Sequence, residues 1–206
     1  MTASAPEIYL VVEAGPSAAT RLSAVLAGVR GVAAVLVKST AGKLDAQAAK
    51  SVVDMAQQAG IAALVDADTA LARALRADGV HLPWGTDLGA RVAEAREILG
   101  SRGTIGVAID PMADDARHQA MELAESGADY IGFEPGDGQA ELLQWWAEIF
   151  EIPCVALDVA SADDAAQAAS AGAEFVAITV PAGASPADAA AQVATMVAAM
   201  TSGAPA

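Results

Sequence analysis

Apolar residues in this chain come in short runs that end on a charged or hydroxyl residue, and between them lie stretches whose apolar residues recur three and four apart. The first pattern predicts buried strands and the second amphipathic helices. The clearest unit is residues 62 to 88. Ala62 to Asp66 reads as a strand, Thr69 to Arg76 as a helix with Leu71 and Leu75 one turn apart, and Gly79 to Leu82 as a second strand after the turn pair Asp78-Gly79. The same alternation runs through the rest. Strands are predicted at Ile8 to Glu13, Ala33 to Lys38, Thr104 to Asp110, Asp129 to Glu134, Cys154 to Val159 and Phe175 to Val180. Helices are predicted at Pro16 to Ala27, Leu44 to Ala59, Leu88 to Leu99, Pro111 to Ser126, Gln139 to Phe150, Ser161 to Ala171 and Pro186 to Met200, several with a glycine just past the end.

About eight consecutive strand-helix units whose strands are apolar on both faces predict a (β/α)8 TIM barrel of near-minimal size, a single domain over residues 1–206 with frayed ends at 1–6 and 201–206. A doubly wound open sheet is the alternative, but Glu13-Ala14-Gly15-Pro16-Ser17 after the first strand is neither a dinucleotide fingerprint nor a phosphate loop. A faint echo at Gly60 to Val65, Gly127 to Ile131 and Gly172 to Val176 reads as a repeated helix-to-strand turn.

Composition narrows the function classes. Apolar residues are 54% of the chain but aromatics only 4%, which fits parallel strands covered by small-residue helices. No apolar run approaches the ~20 residues of a membrane span. The start of the chain has no signal segment, so a cytoplasmic protein is expected, and the single Cys154 fits a reducing compartment as a small buried hydrophobe. A net charge of −15 argues against nucleic acid, whose binding rests on basic surface.

In a barrel, chemistry sits where the strands end. Those ends supply Glu13, Lys38, Asp66 with Asp68, His81 with Trp84 and Asp87, Asp110, Glu134, Asp158 and Thr179. So many acids around one mouth raise each other's pKa unless a cation lies among them. Asp66, Asp68 and Asp87 are candidate ligands for Mg2+; equally, they and Asp110 stand where a carboxylate caps the next helix. Lys38 is a candidate anion anchor or amine nucleophile, or the partner of Glu13 or Asp66. His81 is a candidate general base or a hydrogen-bonded packing residue. His118 reads as solvated. Of the adjacent Trp145 and Trp146, one is expected in the core and the other at a subunit contact.

Four segments, ADGVHL (Ala77 to Leu82) with Asp87-Leu88, ESGADYIGFEP (Glu125 to Pro135), IPCVAL (Ile152 to Leu157) and SAGAEFVAIT (Ser170 to Thr179), together resemble the thiamine phosphate synthase and thiazole tautomerase superfamily in order and spacing. The resemblance implies a barrel that joins a pyrimidine diphosphate to a thiazole phosphate on Mg2+ in its mouth. It also exposes departures. Where the superfamily has Gln-x-Arg-x-Lys after strand two, this chain has Leu36, Lys38 and Thr40; its Asn-Asp after strand three is Asp66-Ala67. The second metal aspartate is matched by Asp87, the Ser-x-His of strand five is Ala108 and Asp110, and the Gly-Pro of strand six is Glu134-Pro135. The Thr-x-Thr-Lys loop is missing, and the Gly-Gly of strand seven is Asp158-Val159, which puts a charged side chain where bare amides approach phosphate.

The resemblance and the residues together give a candidate site of Lys38, His81 and Asp110 as catalytic groups, Asp158 and Thr179 as cofactor- or ligand-facing groups, and Asp66, Asp68 and Asp87 as metal ligands. Three readings stay open: a barrel with dismantled phosphate machinery that takes an unphosphorylated or cationic small molecule, a working Mg2+-dependent synthase, and a non-catalytic barrel that binds a small molecule or serves as a homo-oligomeric scaffold.

Overall fold

The computed structural model describes residues 5–39 and 44–202. Of the ends expected to fray, 1–6 and 201–206, residues 1–4 and 203–206 lie outside the described residues, as does Thr40, while 201–202 close α8. The chain alternates β1 (Glu7–Glu13), α1 (Ala18–Gly28), β2 (Val32–Lys38), α2 (Ala46–Gln58), β3 (Ala62–Asp66), α3 (Thr69–Leu75), β4 (Gly79–Leu82), α4 (Leu88–Leu99), β5 (Thr104–Ile109), α5 (Ala116–Glu125), β6 (Tyr130–Phe133), α6 (Gln139–Ile149), β7 (Cys154–Val159), α7 (Ala162–Ser170), β8 (Phe175–Val180) and α8 (Pro186–Ser202). The parallel strands pair in sequence order and close through β8 on β1, so this is the expected TIM barrel. None of the described helices is long and apolar enough to cross a membrane.

Helix starts moved most. The helix expected from Pro111 begins at Ala116, because Asp110 turns the chain first: its Oδ1 accepts the Met112 N–H at 2.8 Å. α1 likewise starts at Ala18 rather than Pro16, and α8 runs on to Ser202.

Strand residues alternate between two cores. Outward side chains such as Leu10, Val35, Ile105 and Ile178 meet helix faces rich in alanine, where Ala49, Ala72, Ala120 and Ala165 let helices sit close to the sheet. Trp146 is the core member of the tryptophan pair, stacked on Phe150 with its Nε1–H donated to the Ile152 carbonyl at 2.6 Å. Trp145 is half-buried beneath the Arg117 guanidinium, 5.1 Å from its ring centroid.

Inward side chains fill the lumen: Tyr9, Val11, Leu36, Leu64, Tyr130 and Leu157 with smaller partners. Large residues fit because glycines stand opposite. A Cβ on Gly106 would lie 1.8 Å from Tyr130 Cζ, and one on Gly132 would lie 2.7 Å from Leu157 Cδ1. The Tyr130 hydroxyl stands 2.8 Å from the Tyr9 hydroxyl and 2.8 Å from His81 Nδ1, with both rings buried. One direction uses every proton: Tyr9 donates to Tyr130, Tyr130 donates to Nδ1, and the imidazole keeps its proton on Nε2. The reverse strands the Tyr9 proton. Burial, with Lys38 and Arg91 adding to it, lowers the His81 pKa to about 4, so the ring is neutral, and burial also raises both phenols.

The end of the barrel opposite the mouth is fastened by carboxylates. Asp78, Asp129 and Glu174, each just before an even-numbered strand, accept the N–H of Ala63, Ile105 and Cys154 at 2.8, 2.7 and 2.7 Å. Each reaches the odd-numbered strand before it, which accounts for two of the three echoes: they fall on Gly-Ala-Asp and Gly-Ala-Glu turns. In the first unit the Gly31 carbonyl takes the Ile8 N–H at 2.9 Å instead. Arg96 steadies Asp129 at 2.7 Å and also donates to the carbonyls of Gly103 and Gly127.

Two expectations follow for stability. Asp129→Ala leaves the Ile105 N–H and Arg96 without their acceptor and should cost about 2 kcal/mol in urea unfolding, the scale of a hydrogen bond to a charged group. For His81 the folded pKa lies below the unfolded value of about 6.5, so the unfolded state binds the extra proton between those values and stability falls as pH drops through them. The loss is about 3 kcal/mol on going from pH 6.5 to below 4, and unfolding of His81→Gln across that range should lack it.

Candidate functional site in the barrel mouth

The strand alternation that fills the lumen carries on to the mouth. Glu13 follows Tyr9 and Val11, Lys38 follows Ala34 and Leu36, and Asp66 follows Ala62 and Leu64. Asp110, Glu134 and Thr179 continue the inward faces of β5, β6 and β8, Thr179 in register with Val11. These six strand-end groups therefore ring one opening. His81 lies in register with Asp66 and forms part of the floor. Trp84, on the loop after β4, packs against both the lumen and the outer core.

Asp158 reaches the ring by another route. Register slips between Ala156 and Val159, and the carboxylate is carried by a residue in the left-handed region, φ 47°. It thereby stands 3.6 Å from Lys38 Nζ, with Lys38 about one-third and Asp158 about half exposed. The lysine is thus paired, but with an acid from β7 rather than with the expected Glu13 or Asp66. Gln139 ties the ends of β6 and β7 together, donating from Nε2 to the Phe133 carbonyl at 2.8 Å and the Leu157 carbonyl at 3.2 Å.

Burial holds the Asp66 carboxyl above the usual carboxylate range; Lys38 and Arg91 oppose this and Asp158 adds to it. Glu134 is raised in the same way, by burial and then by Asp110 and Asp158, against Lys38. Both shifts run in the direction that burial gives a carboxylate, with neighbouring acids adding to it. Arg91 is the group that strand-end reasoning missed. It sits in α4, its Nη1 donates to the Pro83 carbonyl at 3.1 Å, and its charge is felt at Asp66 and His81. Its only sequence mark is a place one turn into a helix that follows a mouth loop.

The three proposed metal ligands fare differently. Asp68 is the N-cap of α3, its Oδ1 accepting the Leu71 N–H at 2.8 Å. Asp87 occupies the N-cap position of α4 in the left-handed region, φ 57°, with an exposed side chain that makes no cap bond. Only Asp66 continues an inward strand face. Between Asp66 and Asp68 stands Ala67, also left-handed at φ 59°, with its N–H donated to the His81 carbonyl at 2.8 Å. Among the described residues no three His, Cys, Asp or Glu side chains converge to hold a metal ion. The donor set does not fit a protein-built Mg2+ cage.

Asp110 does not cap a helix; its Oδ1 is engaged in the turn to Met112. Asp66 likewise is not a cap, whereas Asp68 is. The two helices after β7 and β8 carry their own caps. Ser161 Oγ accepts the Asp164 N–H at 3.1 Å and donates to Asp164 Oδ2 at 2.7 Å, and Ser185 with Asp188 repeats the exchange at 3.2 and 2.7 Å. Cys154 lies buried at the start of β7, its thiol pushed up to about 12 by burial, outside the chemistry of the mouth.

Comparison with known proteins places this architecture. By sequence the chain is similar to the thiamine-phosphate synthase of Erythrobacter litoralis, 42% identical over 131 residues, covering 58% of this chain and 58% of that protein. It is similar to that of Halorhodospira halophila at 33% identity over 83% of each chain. The chain thus spans less than two thirds of the length of the first of these relatives and most of the second. By structure it is similar to thiamine phosphate pyrophosphorylase from Pyrococcus furiosus, with a TM-score of 0.73 at 22% identity over 94% of this chain and 96% of that one. 3-Hexulose-6-phosphate synthase from Salmonella typhimurium is as alike in fold, TM-score 0.74 at 17% identity over 96% and 99%. The family model described as thiamine monophosphate synthase matches residues 8–181, nearly the whole barrel, and the chain belongs to that family.

Proposed function

We propose that this chain is a diverged thiamine-phosphate-synthase-type barrel in which the mouth takes a neutral or cationic small molecule without phosphate, with the condensation of a pyrimidine diphosphate and a thiazole phosphate reduced or altered. The observation that carries this reading is the Lys38–Asp158 pair at 3.6 Å. The cation retained from the phosphate-holding strand is met by a carboxylate at the position where the superfamily keeps glycine. An incoming phosphate would lose part of Lys38 and meet Asp158, a repulsion of about 1 kcal/mol in water and about 4 in a shielded crevice at 4 Å.

The backbone supports the same history. Asp158 and Ala67 both hold left-handed conformations that suit glycine, asparagine or aspartate, and for alanine the conformation costs about 1 kcal/mol. The capping exchanges at α7 and α8 add carboxylates at two helix starts where a phosphate would otherwise find free N–H groups. A cation, by contrast, gains from every acid in the ring. His81 contributes a neutral N–H donor held in place by Tyr130 and Tyr9.

Arg91 favours a second reading, a working synthase in which Lys38 and Arg91 share the anion.

Calorimetric titration with pyrophosphate, with and without Mg2+, separates the two. The wild type should show no binding up to millimolar pyrophosphate, and Ala67→Asp with Asp158→Gly should gain at least tenfold in affinity. Micromolar, Mg2+-dependent binding by the wild type that disappears in Lys38→Ala would overturn the proposal in favour of the synthase. With thiamine as a cationic probe free of phosphate, binding should weaken as pH falls toward 4, because Asp66 and Glu134 take up protons at higher pH than ordinary carboxyls and lose the charge the cation needs. Thiamine binding that strengthens on acidification would contradict it.

A further inference from the structure

The side chain that holds Asp158 against Lys38 lies outside the ring of acids. Residues paired across neighbouring parallel strands point to the same side of the sheet, and the pairing of β7 with β8 runs Val155 with Phe175 and Ala156 with Val176. Continued without a break, it would set Leu157 against Ala177 in the lumen and Asp158 against Ile178, whose side chain lies in the outer core. Asp158 would then point away from the mouth. Instead Val159 pairs with Ile178, so two residues of β7 stand opposite Ala177 alone. Val159 takes the outward place, and the Asp158 carboxylate comes within 3.6 Å of Lys38 Nζ.

The extra residue needs a hold on its other side. Pairing of β7 with β6 stops at Ala156 with Phe133, so the β6 ladder grips neither Leu157 nor Asp158. Gln139 supplies the grip. A side-chain amide nitrogen carries two protons, and Gln139 Nε2 gives them to the Phe133 carbonyl at 2.8 Å and the Leu157 carbonyl at 3.2 Å. The first carbonyl ends β6, and the second belongs to the peptide bond that joins Leu157 to Asp158. Gln139 reaches both because it is the first residue of α6 and the loop before it is only Glu134 to Gly138. Gly136 and Gly138 hold that loop at positive φ, 156° and 96°, and a Cβ on Gly136 would lie 3.2 Å from Pro111 Cγ. The turn is tight enough to lay the start of α6 across the ends of two strands.

We infer that Gln139 is a positioning residue that sets the specificity of the mouth: by tying the Leu157 carbonyl to the end of β6 it fixes the slip that aims Asp158 at Lys38. Both of its hydrogen bonds go to backbone, so its effect on a ligand passes through Asp158. Without them β7 takes up the continuous register, Asp158 turns toward the helices, and Lys38 can answer an incoming anion. The inference rests on the reading of the mouth as a site where Asp158 opposes phosphate, and it adds the residue that keeps Asp158 there.

The test follows acetylation of Lys38 by acetic anhydride in the full chain, read by mass spectrometry of its peptide, with Lys50 on α2 as the internal standard. Gln139→Met and Asp158→Asn should each speed Lys38 relative to Lys50 by about threefold, the scale of an exposed ion pair. The double variant should be no faster than either. An unchanged rate in Gln139→Met would overturn the inference. So would a further gain of the same size when Gln139→Met is added to Asp158→Asn, because general loosening acts whether or not residue 158 is charged. Gln139→Leu takes the place of Gln139→Met if the latter loses the far-ultraviolet circular dichroism of the wild type. Acetylation needs no ligand, so this outcome stands apart from what the mouth binds. Pyrophosphate titration of the same variant then separates the two claims. A gain of about tenfold in affinity supports both, whereas a freed Lys38 with no gain upholds the role of Gln139 and counts against Asp158 as the group that excludes phosphate.

Discussion

An eight-stranded barrel must fill its own interior, and in this chain that task falls on Tyr130. Its ring lies over Gly106 in the space a side chain there would need, and its hydroxyl joins Tyr9 to His81 across the lumen. The phenol is buried beyond reach of bulk water, so it must find partners within the barrel, and the two it finds come from strands on other sides of the lumen. A single residue thereby couples packing to polarity. The same contact sets the chemistry of the floor: a neutral imidazole with a fixed tautomer rather than a cation, in a mouth where acids already outnumber bases.

That imbalance governs the mouth. Glu13, Asp66, Asp110 and Glu134 are placed there by simple alternation, so barrel geometry gathers charge whether or not a ligand is present. The gathered charge is relieved by Arg91 and by the Lys38–Asp158 pair, while the carboxyls of Asp66 and Glu134 are raised above the usual range. Relief through Lys38 has a cost in selectivity, since a lysine that answers an internal carboxylate is a weaker anchor for an external anion.

The barrel is legible from sequence because its strands are apolar on both faces and several of its helices end beside a glycine, signals that survive without tertiary context. Helix starts were less legible. Pro111 looked like a first helical residue, yet a carboxylate one position earlier turned the chain and delayed α5 to Ala116. Inward and outward acids divided by a rule the sequence contains, period two, once the strand bounds are known; Asp66 and Asp110 follow it. Asp158 does not, because a register slip in β7 re-aims its side chain, and no local pattern announces a bulge. Asp68 and Asp87 join Asp66 in the expected ligand set because all three follow strand ends and Asp87 matches the superfamily's second metal aspartate, whereas a cap bond and a left-handed backbone give them separate places. Arg91 was hidden because it is a helix residue, and strand-end reasoning does not reach helices.

The carboxylate fasteners at the foot of the barrel make each of β3 with β4, β5 with β6, and β7 with β8 a unit closed by a side chain from its own connecting turn. Closure inside a unit spans about 15 to 24 residues of chain, so it carries a modest loop entropy. The barrel is in this sense modular, a chain of self-latched hairpin-like wedges. Recombination between related barrels has natural joints on the far side of each latch, after an even-numbered strand, where exchange of a whole wedge leaves every latch with its own strand.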